Sequence, residues 1–234
     1  MREQTYFISR NEYYKINNMR SDIESQIRAA IAIIKRGGTI VYPTETVYGL
    51  GADALSETAV RKVYKIKRRD VSQPISVAVS SFEMLHKVAY TDPGISEILF
   101  ALLPGPVTVL LKKKEIVPAL LTAESDVLGV RFPDNEIATR IIEETGPITA
   151  TSANVSGRTP PTCVEEVEIK FLVDIIIHGS KCKYSMPSTV VDMTTANEGK
   201  AKIKIKRRGA CYDRVLHVLR SKITGEGIYS FPLP

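Results

Sequence analysis

The sequence contains no tryptophan and few histidines or cysteines, three of each, and these scarcities exclude several kinds of site. No histidine lies near another histidine, a cysteine or paired acidic residues, which argues against a metal cage built by the protein. The cysteines, Cys163, Cys182 and Cys211, are widely spaced and form no Cys-x-x-Cys pair. We therefore expect buried, reduced structural thiols rather than disulfides or a zinc site.

Long apolar segments are absent as well. No apolar run in the sequence approaches the roughly 20 residues that a membrane span requires. The first residues also lack the apolar stretch of a secretory signal. We expect a cytoplasmic protein that does not associate with a membrane.

Familiar nucleotide and hydrolase motifs are missing too. The sequence has no GxxxxGK[ST] motif, which excludes a P-loop. Residues 49–54 (GLGADA) resemble a dinucleotide fingerprint, but residues 43–48 separate them from the preceding strand, whereas the fingerprint glycines belong at the strand-to-helix turn. No GxSxG surrounds Ser152, which argues against a Ser-His-Asp hydrolase.

Size and composition favour one domain. A chain of 234 residues, 44% hydrophobic and 25% charged, can bury one sizeable core, and no linker or repeat divides it. We expect a catalytic domain over residues 21–220, preceded by an arm or added strand (1–20) and followed by a tail (221–234). The formal charge of +6 is concentrated in residues 65–69, 112–114 and 202–208. Such runs are either solvated surfaces or contacts for an anionic ligand, either nucleotide phosphates or RNA.

Hydrophobic periodicity predicts alternating helices and strands, and therefore an α/β fold. The first predicted helix begins at Ser21, has isoleucine at four positions of its apolar face and ends at Gly37. A second begins after Ser56 and places Lys67 and Arg69 at its C-terminal end. Further helices are predicted over 135–145, over 212–220 and after Thr162, which could form a capping box with Glu165. Strands are predicted over 39–42, 75–79, 107–111, 128–132, 148–150, 172–177 and 189–193.

Two stretches point to a ligand site. Residues 42–51 and 149–157 both begin where an apolar, strand-like run gives way to small hydroxyl and amide residues. Open α/β sheets bind small ligands at the ends of their strands. A small-molecule enzyme is therefore the leading hypothesis.

Seven motifs occur in one order along the chain. They are PTETVYGLG (43–51), KRR (67–69), PGPVT (104–108), VRFP (130–133), SAN (152–154), PSTVVD (187–192) and RG (208–209). Together they resemble the threonylcarbamoyl-AMP synthase family, also called YrdC-like. The resemblance implies a twisted mixed sheet with flanking helices around a deep cationic cavity. It also implies condensation of L-threonine, bicarbonate or CO2, and ATP to threonylcarbamoyl-AMP and pyrophosphate, for threonylcarbamoyl-adenosine formation in tRNA.

The resemblance also implies roles for individual residues. Lys67 and Arg69, the KxR pair, would be the catalytic cations at the reacting phosphate of ATP, whose Mg²⁺ arrives with the nucleotide. A guanidinium at the end of a strand can bind a carboxylate through two donors. Arg131 would therefore bind the carboxylate of threonine. The residues implied for threonine are Thr44, Arg131 and Ser188. Those implied for ATP are Lys67, Arg69, Thr108, Ser152, Asn154 and Arg208.

The chain departs from the family pattern at two positions, and two other functions remain open. Asp70 replaces the usual proline after KxR, and Gln73 replaces lysine, asparagine or histidine. The chain also resembles the short form of the family, without an added C-terminal domain.

The alternatives are an RNA-binding module that uses the basic runs and a carbamoyltransferase-related YrdC-like protein. Expected partners are a downstream threonylcarbamoyl transferase complex and, in a transient contact, tRNA.

Overall fold

A computed structural model describes residues 23–194 and 203–222. The helices in these ranges are α1 (Ile23–Lys35), α2 (Glu57–Lys67), α3 (Phe82–Val88), α4 (Pro93–Leu102), α5 (Glu136–Thr145) and α6 (Tyr212–Lys222), with 3-10 turns at Ala119–Thr122 and Val164–Glu166. The strands are β1 (Ile40–Tyr42), β2 (Gly49–Gly51), β3 (Ser76–Ala78), β4 (Ala89–Tyr90), β5 (Val107–Lys113), β6 (Val127–Arg131), β7 (Ile148–Ser152), β8 (Ile175–Ile176), β9 (Thr189–Asp192) and β10 (Lys204–Arg207). The expected arm (1–20) and most of the expected tail lie outside the described residues.

The strands of the described residues form one mixed sheet. Its order is β10-β9-β5-β6-β3-β7-β2-β1-β8, and β4 pairs with the end of β5. The pairs β1–β8, β3–β6 and β5–β9 are parallel, and the other pairs are antiparallel. This arrangement confirms the predicted twisted mixed sheet with flanking helices.

Strand alternation divides the core between the two sheet faces. Val41 belongs to a large cluster on one face, whereas its neighbours Ile40 and Tyr42 belong to a smaller cluster on the other. Helices α1 and α5 cover part of the second face through apolar side chains such as Ile34 and Ile141. The rest of that face carries small and polar residues, and the site described below lies there.

Local signals explain the helix boundaries near this face. The Asn135 side chain accepts a hydrogen bond from the Ala138 amide at 3.0 Å and caps α5, which ends at Gly146. Glu24 of α1 accepts two hydrogen bonds from Arg140 of α5, both at 2.6 Å. These contacts fasten the two helices to each other as well as to the sheet.

Two predicted elements differ in the structure. The expected helix after Thr162 is a single 3-10 turn, and Glu166, not Glu165, accepts hydrogen bonds from the Thr162 amide (2.7 Å) and hydroxyl (2.9 Å). The chain cannot continue as a helix because Val167 and Ile169 are buried on either side of an exposed residue, the pattern of an extended segment. The expected strand over 172–177 is reduced to Ile175–Ile176.

Three of the described strands were not predicted, and one of them is the two-residue strand β4 (Ala89–Tyr90). Strand β2 contains two glycines, which usually weaken a strand. A Cβ at Gly49 would lie 2.7 Å from the Tyr42 ring. Glycine therefore lets the Tyr42 ring pack directly on the backbone of β2. Strand β10 lies within the basic run and buries Ile203 and Ile205 at alternate positions. That alternation was present in the sequence but was masked by the surrounding lysines.

All three cysteines are unpaired. Cys182 is buried, and burial raises the pKa of its thiol to about 11. Cys163 and Cys211 are half-buried, so full burial holds for one thiol of the three. None of the described helices combines the length and apolarity needed to cross a bilayer.

Gly209 allows the chain after β10 to approach the start of β9. A Cβ at this position would lie 2.4 Å from the carbonyl oxygens of both Pro187 and Ser188. Because those are backbone atoms that cannot rotate away, we expect Gly209→Ala to lower the free energy of unfolding by about 1–3 kcal/mol. Urea denaturation measures the effect, and a midpoint equal to that of the wild type would contradict this account of the contact.

Candidate active site

The uncovered part of the second sheet face forms the floor of a cavity of about 300 Å³. Each contributing strand presents a small or polar side chain there. These residues include Gly49, Ser76, Thr108, Arg131, Ala150, Ser152 and Val190. A cavity of this size and polarity suits a small polar ligand.

Three arginines line this cavity. They are Arg69 after α2, Arg131 at the end of β6 and Arg207 at the end of β10. Partial burial lowers the pKa of Arg69, and desolvation together with the nearby Arg131 lowers that of Arg207, as expected for crowded cations. Three guanidinium groups around one small space create a positive potential that favours anions.

A buried carboxylate orients one of these arginines. Arg131 Nη2 donates to Glu45 Oε1 at 2.8 Å, and both residues are buried. Arg131 Nε and Glu45 Oε2 have no hydrogen-bond partner among the described residues. The pair is therefore joined through one oxygen, and the guanidinium keeps other donors for a ligand.

Lys67 lies behind the cavity wall rather than in it. Its ammonium group donates to Ser152 O at 2.5 Å, to Asn154 O at 2.9 Å and to Asn154 Oδ1 at 3.5 Å, and only 1% of the residue is exposed. In return, the Ser156 amide donates to Lys67 O at 2.8 Å. Because its three donors face three acceptors, Lys67 ties the end of α2 to residues 152–156 and has no donor left for a phosphate.

Asn154 also shapes this segment. Its Nδ2 donates to Val155 O at 3.0 Å and to Arg158 O at 2.6 Å, and the residue is buried outside the cavity lining. Ser152 does line the cavity. Of the predicted SAN motif, the structure therefore brings Ser152 to the cavity and places Asn154 in support of the loop.

The hydroxyl of Thr44 closes the turn after β1. Thr44 Oγ1 donates to Val47 O at 2.7 Å, accepts from the Thr46 and Val47 amides at 3.2 and 3.3 Å, and lies 2.9 Å from Thr46 Oγ1. Thr44 lines the cavity, but this hydroxyl is fully engaged within its own turn.

Thr108 and Ser188 form one unit although they lie far apart in the sequence. Their hydroxyl oxygens are 2.7 Å apart, and Arg207 donates to Ser188 Oγ at 3.2 Å and to Ser188 O at 2.9 Å. The resemblance assigned Thr108 to ATP and Ser188 to threonine. The structure joins the two at one point of the cavity wall.

The structure places Arg207, not Arg208, at the cavity. Simple alternation would put Arg207 on the core face with Ile203 and Ile205, and Arg208 on the cavity face. A β-bulge between Ile205 and Arg207 shifts the register, so that Arg207 pairs with Val190, which lines the cavity. Arg208 is exposed and lies 4.5 Å from the ring centroid of Tyr212.

The family model described as telomere recombination, Sua5/YciO/YrdC, matches residues 32–209. The chain belongs to this family. A threonylcarbamoyl-AMP synthase of Pyrococcus abyssi is 41% identical over 184 residues, which cover 76% of this chain and 54% of that protein. One from Klebsiella pneumoniae is 33% identical over 185 residues, covering 76% of this chain and 95% of its own length.

Solved structures agree with the family assignment. Pyrococcus abyssi Sua5 complexed with L-threonine matches with a TM-score of 0.74 at 37% identity, over 80% of this chain and 54% of that chain. Escherichia coli YciO matches with a TM-score of 0.69 at 29% identity, over 80% of this chain and 90% of that chain. The chain thus spans about half the length of its Pyrococcus relative, at 54%.

Acidic and metal-binding side chains are sparse around the cavity. Among the described residues, no group of three or more histidine, cysteine, aspartate or glutamate side chains could hold a metal ion. Glu45 is engaged with Arg131. The polar side chains that line the cavity are guanidinium groups and hydroxyls.

The buried ammonium of Lys67 makes stability depend on pH. Burial, with a smaller effect of Arg69, lowers the pKa of Lys67 from 10.5 to about 8. Between these pH values the unfolded chain binds more protons than the folded one. The free energy of unfolding therefore rises with pH over this range. We expect the stability of the wild type relative to Lys67→Met to rise from pH 8 to pH 10.5, as measured by urea denaturation.

Lys65→Met is the matched control because Lys65 is exposed on the same helix. The raised pKa values of Tyr42 and Tyr48 make the opposite contribution above pH 10, but both tyrosines are present in every variant and cancel in the difference. If the difference in the free energy of unfolding between the wild type and Lys67→Met stays constant across this pH range, the buried-ammonium interpretation is wrong.

Proposed function

We propose that the chain is a threonylcarbamoyl-AMP synthase. It condenses L-threonine, bicarbonate or CO2, and ATP to threonylcarbamoyl-AMP and pyrophosphate, a nucleotidyl transfer that supplies tRNA modification. The observation that carries this proposal is the cluster of Arg69, Arg131 and Arg207 around a single cavity in a chain of this family. All the reactants become anions, and the cluster has the charge to bring them together.

The reaction explains why so much positive charge is needed. The neutral amine of threonine bonds to the carbon of CO2 and loses a proton, which gives a carbamate. A carbamate oxygen then bonds to the α-phosphorus of ATP, and the bond from that phosphorus to the β-phosphate oxygen breaks to release pyrophosphate. Two anions approach closely in this step, and preorganised cations and donors are the usual source of catalysis in such transfers.

The threonine end of the cavity follows from the position of Arg131. Its remaining donors, oriented by Glu45, would bind the threonine carboxylate through a charge-assisted contact. Thr44 and Ser188 would form the wall beside it, with the Thr44 turn setting the wall's shape.

The nucleotide end would use the other two arginines. Arg69 and Arg207 would contact the phosphates of ATP, which brings its own Mg²⁺, with Thr108 and Ser152 nearby. Lys67, expected from the sequence at the phosphate, would act as a positioning residue that holds Ser152 in place. A cytoplasmic enzyme with reduced thiols would hand its product to a threonylcarbamoyl transferase complex that acts on tRNA.

The activity itself is tested by leaving out one substrate at a time. We expect the purified protein to release pyrophosphate from MgATP only when both L-threonine and bicarbonate are present, because the carbamate is the nucleophile. Coupled pyrophosphate detection measures the rate. Equal release without threonine would point to a simple ATP pyrophosphohydrolase, and salt-sensitive RNA binding without turnover would favour an RNA-binding module.

The neighbouring arginines at the end of β10 provide a matched pair of variants. We expect Arg207→Ala to lower kcat/KM for ATP about 10- to 100-fold, since it removes a charged donor from the cavity. Arg208→Ala should change it much less, because Arg208 lies outside the cavity against Tyr212. Steady-state kinetics on folded variants compares them, and a larger loss for Arg208→Ala would reverse the assignment.

A further inference from the structure

The cavity contains a free hydroxyl that has no role in the assignments above. Ser76 of β3 lines the floor, and its hydroxyl has no hydrogen-bond partner within the described ranges 23–194 and 203–222. By contrast, the Thr44 hydroxyl is used within its turn and that of Ser188 is shared between Thr108 and Arg207. Ser76 is therefore the more available group for reading a polar atom of a ligand.

The position of this hydroxyl depends on a glycine in the neighbouring strand. A Cβ at Gly129 of β6 would lie 2.4 Å from Ser76 Oγ and 3.1 Å from Ser76 Cβ. Gly129 lies on the same sheet face as Arg131 because the two positions are separated by one residue of the same strand. The Ser76 side chain therefore packs directly over the Gly129 backbone, and the absence of a side chain at Gly129 lets it lie there.

Ser76 lies at the threonine end of the cavity. Ala78 of β3 pairs with Arg131 of β6, so Ser76 is the diagonal neighbour of Arg131 across the two strands. Diagonal neighbours on one sheet face are about 7–8 Å apart. An amino acid held by its carboxylate at Arg131 can span that separation and direct its side chain toward Ser76.

We propose that Ser76 is a specificity-determining residue that hydrogen-bonds the side-chain hydroxyl of the amino-acid substrate from the floor of the cavity. The inference rests on the proposed function and identifies which group distinguishes threonine from its isostere valine. The hydroxyl of threonine finds a partner in Ser76. The methyl group that valine carries at the same place leaves Ser76 without one, which is the kind of mismatch that polar sites reject.

Calorimetric titration with L-threonine and L-valine tests this assignment. We expect Ser76→Ala to weaken threonine binding about three- to tenfold, as for one lost neutral hydrogen bond, and to leave valine binding unchanged or stronger. The preference for threonine over valine therefore falls. An unchanged preference, or an equal loss for both amino acids, would overturn the assignment, since a purely structural role affects the two ligands alike.

Gly129→Ala provides a second, independent variant. The added methyl group would displace the Ser76 hydroxyl and should lower the same preference, and it should do less further harm in Ser76→Ala, where the 2.4 Å contact no longer exists. Ser80→Ala is the control, because Ser80 follows the same strand but lies outside the cavity lining. Additive effects of the Ser76 and Gly129 substitutions, or a lower preference in Ser80→Ala, would count against the proposal.

These outcomes are separable from failure of the proposed function. If the wild type releases pyrophosphate only with threonine but Ser76→Ala keeps its preference, the role of Ser76 alone is wrong. If the wild type neither binds threonine nor requires it for pyrophosphate release, the proposed function itself fails. Thermal unfolding of each variant confirms that the titrations report on folded protein.

Discussion

Mutual repulsion among the cavity arginines is the constraint on which this structure depends. Arg69, Arg131 and Arg207 surround one small space, and the Glu45 carboxylate is joined to Arg131 alone. Placing like charges together in a partly desolvated space opposes folding, and an oriented carboxylate offsets only part of that cost. A bound polyanion relieves the rest, and a ligand that binds only the folded state stabilises it. The cavity is therefore best explained as a site organised for an anionic ligand.

The cations are held by backbone carbonyls as much as by acids. Lys67 donates to the carbonyl oxygens of Ser152 and Asn154. Arg69 donates to those of Gln73 and Pro74, and Arg207 to that of Ser188. A carbonyl oxygen satisfies a donor without cancelling its charge, which a carboxylate would do. This choice of partner positions the side chains and preserves the positive potential of the cavity.

Sequence reasoning predicted the capped helices α2 and α5 and the apolar strands, whose signals lie in neighbouring residues. Strand β2 could not be predicted in this way, because it depends on the Tyr42 ring packing on Gly49. The alternating burial of Val167 and Ile169, and that of Ile203 and Ile205, was a local signal that capping and charge obscured. Within the site, Arg69, Arg131, Thr44, Thr108, Ser152 and Ser188 all reach the cavity. Lys67 and Asn154 lie behind the wall, and only the three-dimensional contacts reveal this.

The loop after the KxR motif shows how one chain can replace a family residue by different chemistry. Proline would restrict the backbone at position 70, whereas here the Asp70 carboxylate accepts a hydrogen bond from the Ser72 amide at 2.8 Å and forms a local turn. Hydrogen bonds from the Ser72 amide and hydroxyl lower the pKa of Asp70. Arg69 spans the base of the loop through the carbonyls of Gln73 and Pro74. The loop is therefore held by hydrogen bonds where proline would restrict the backbone covalently, and the guanidinium that closes it also faces the cavity.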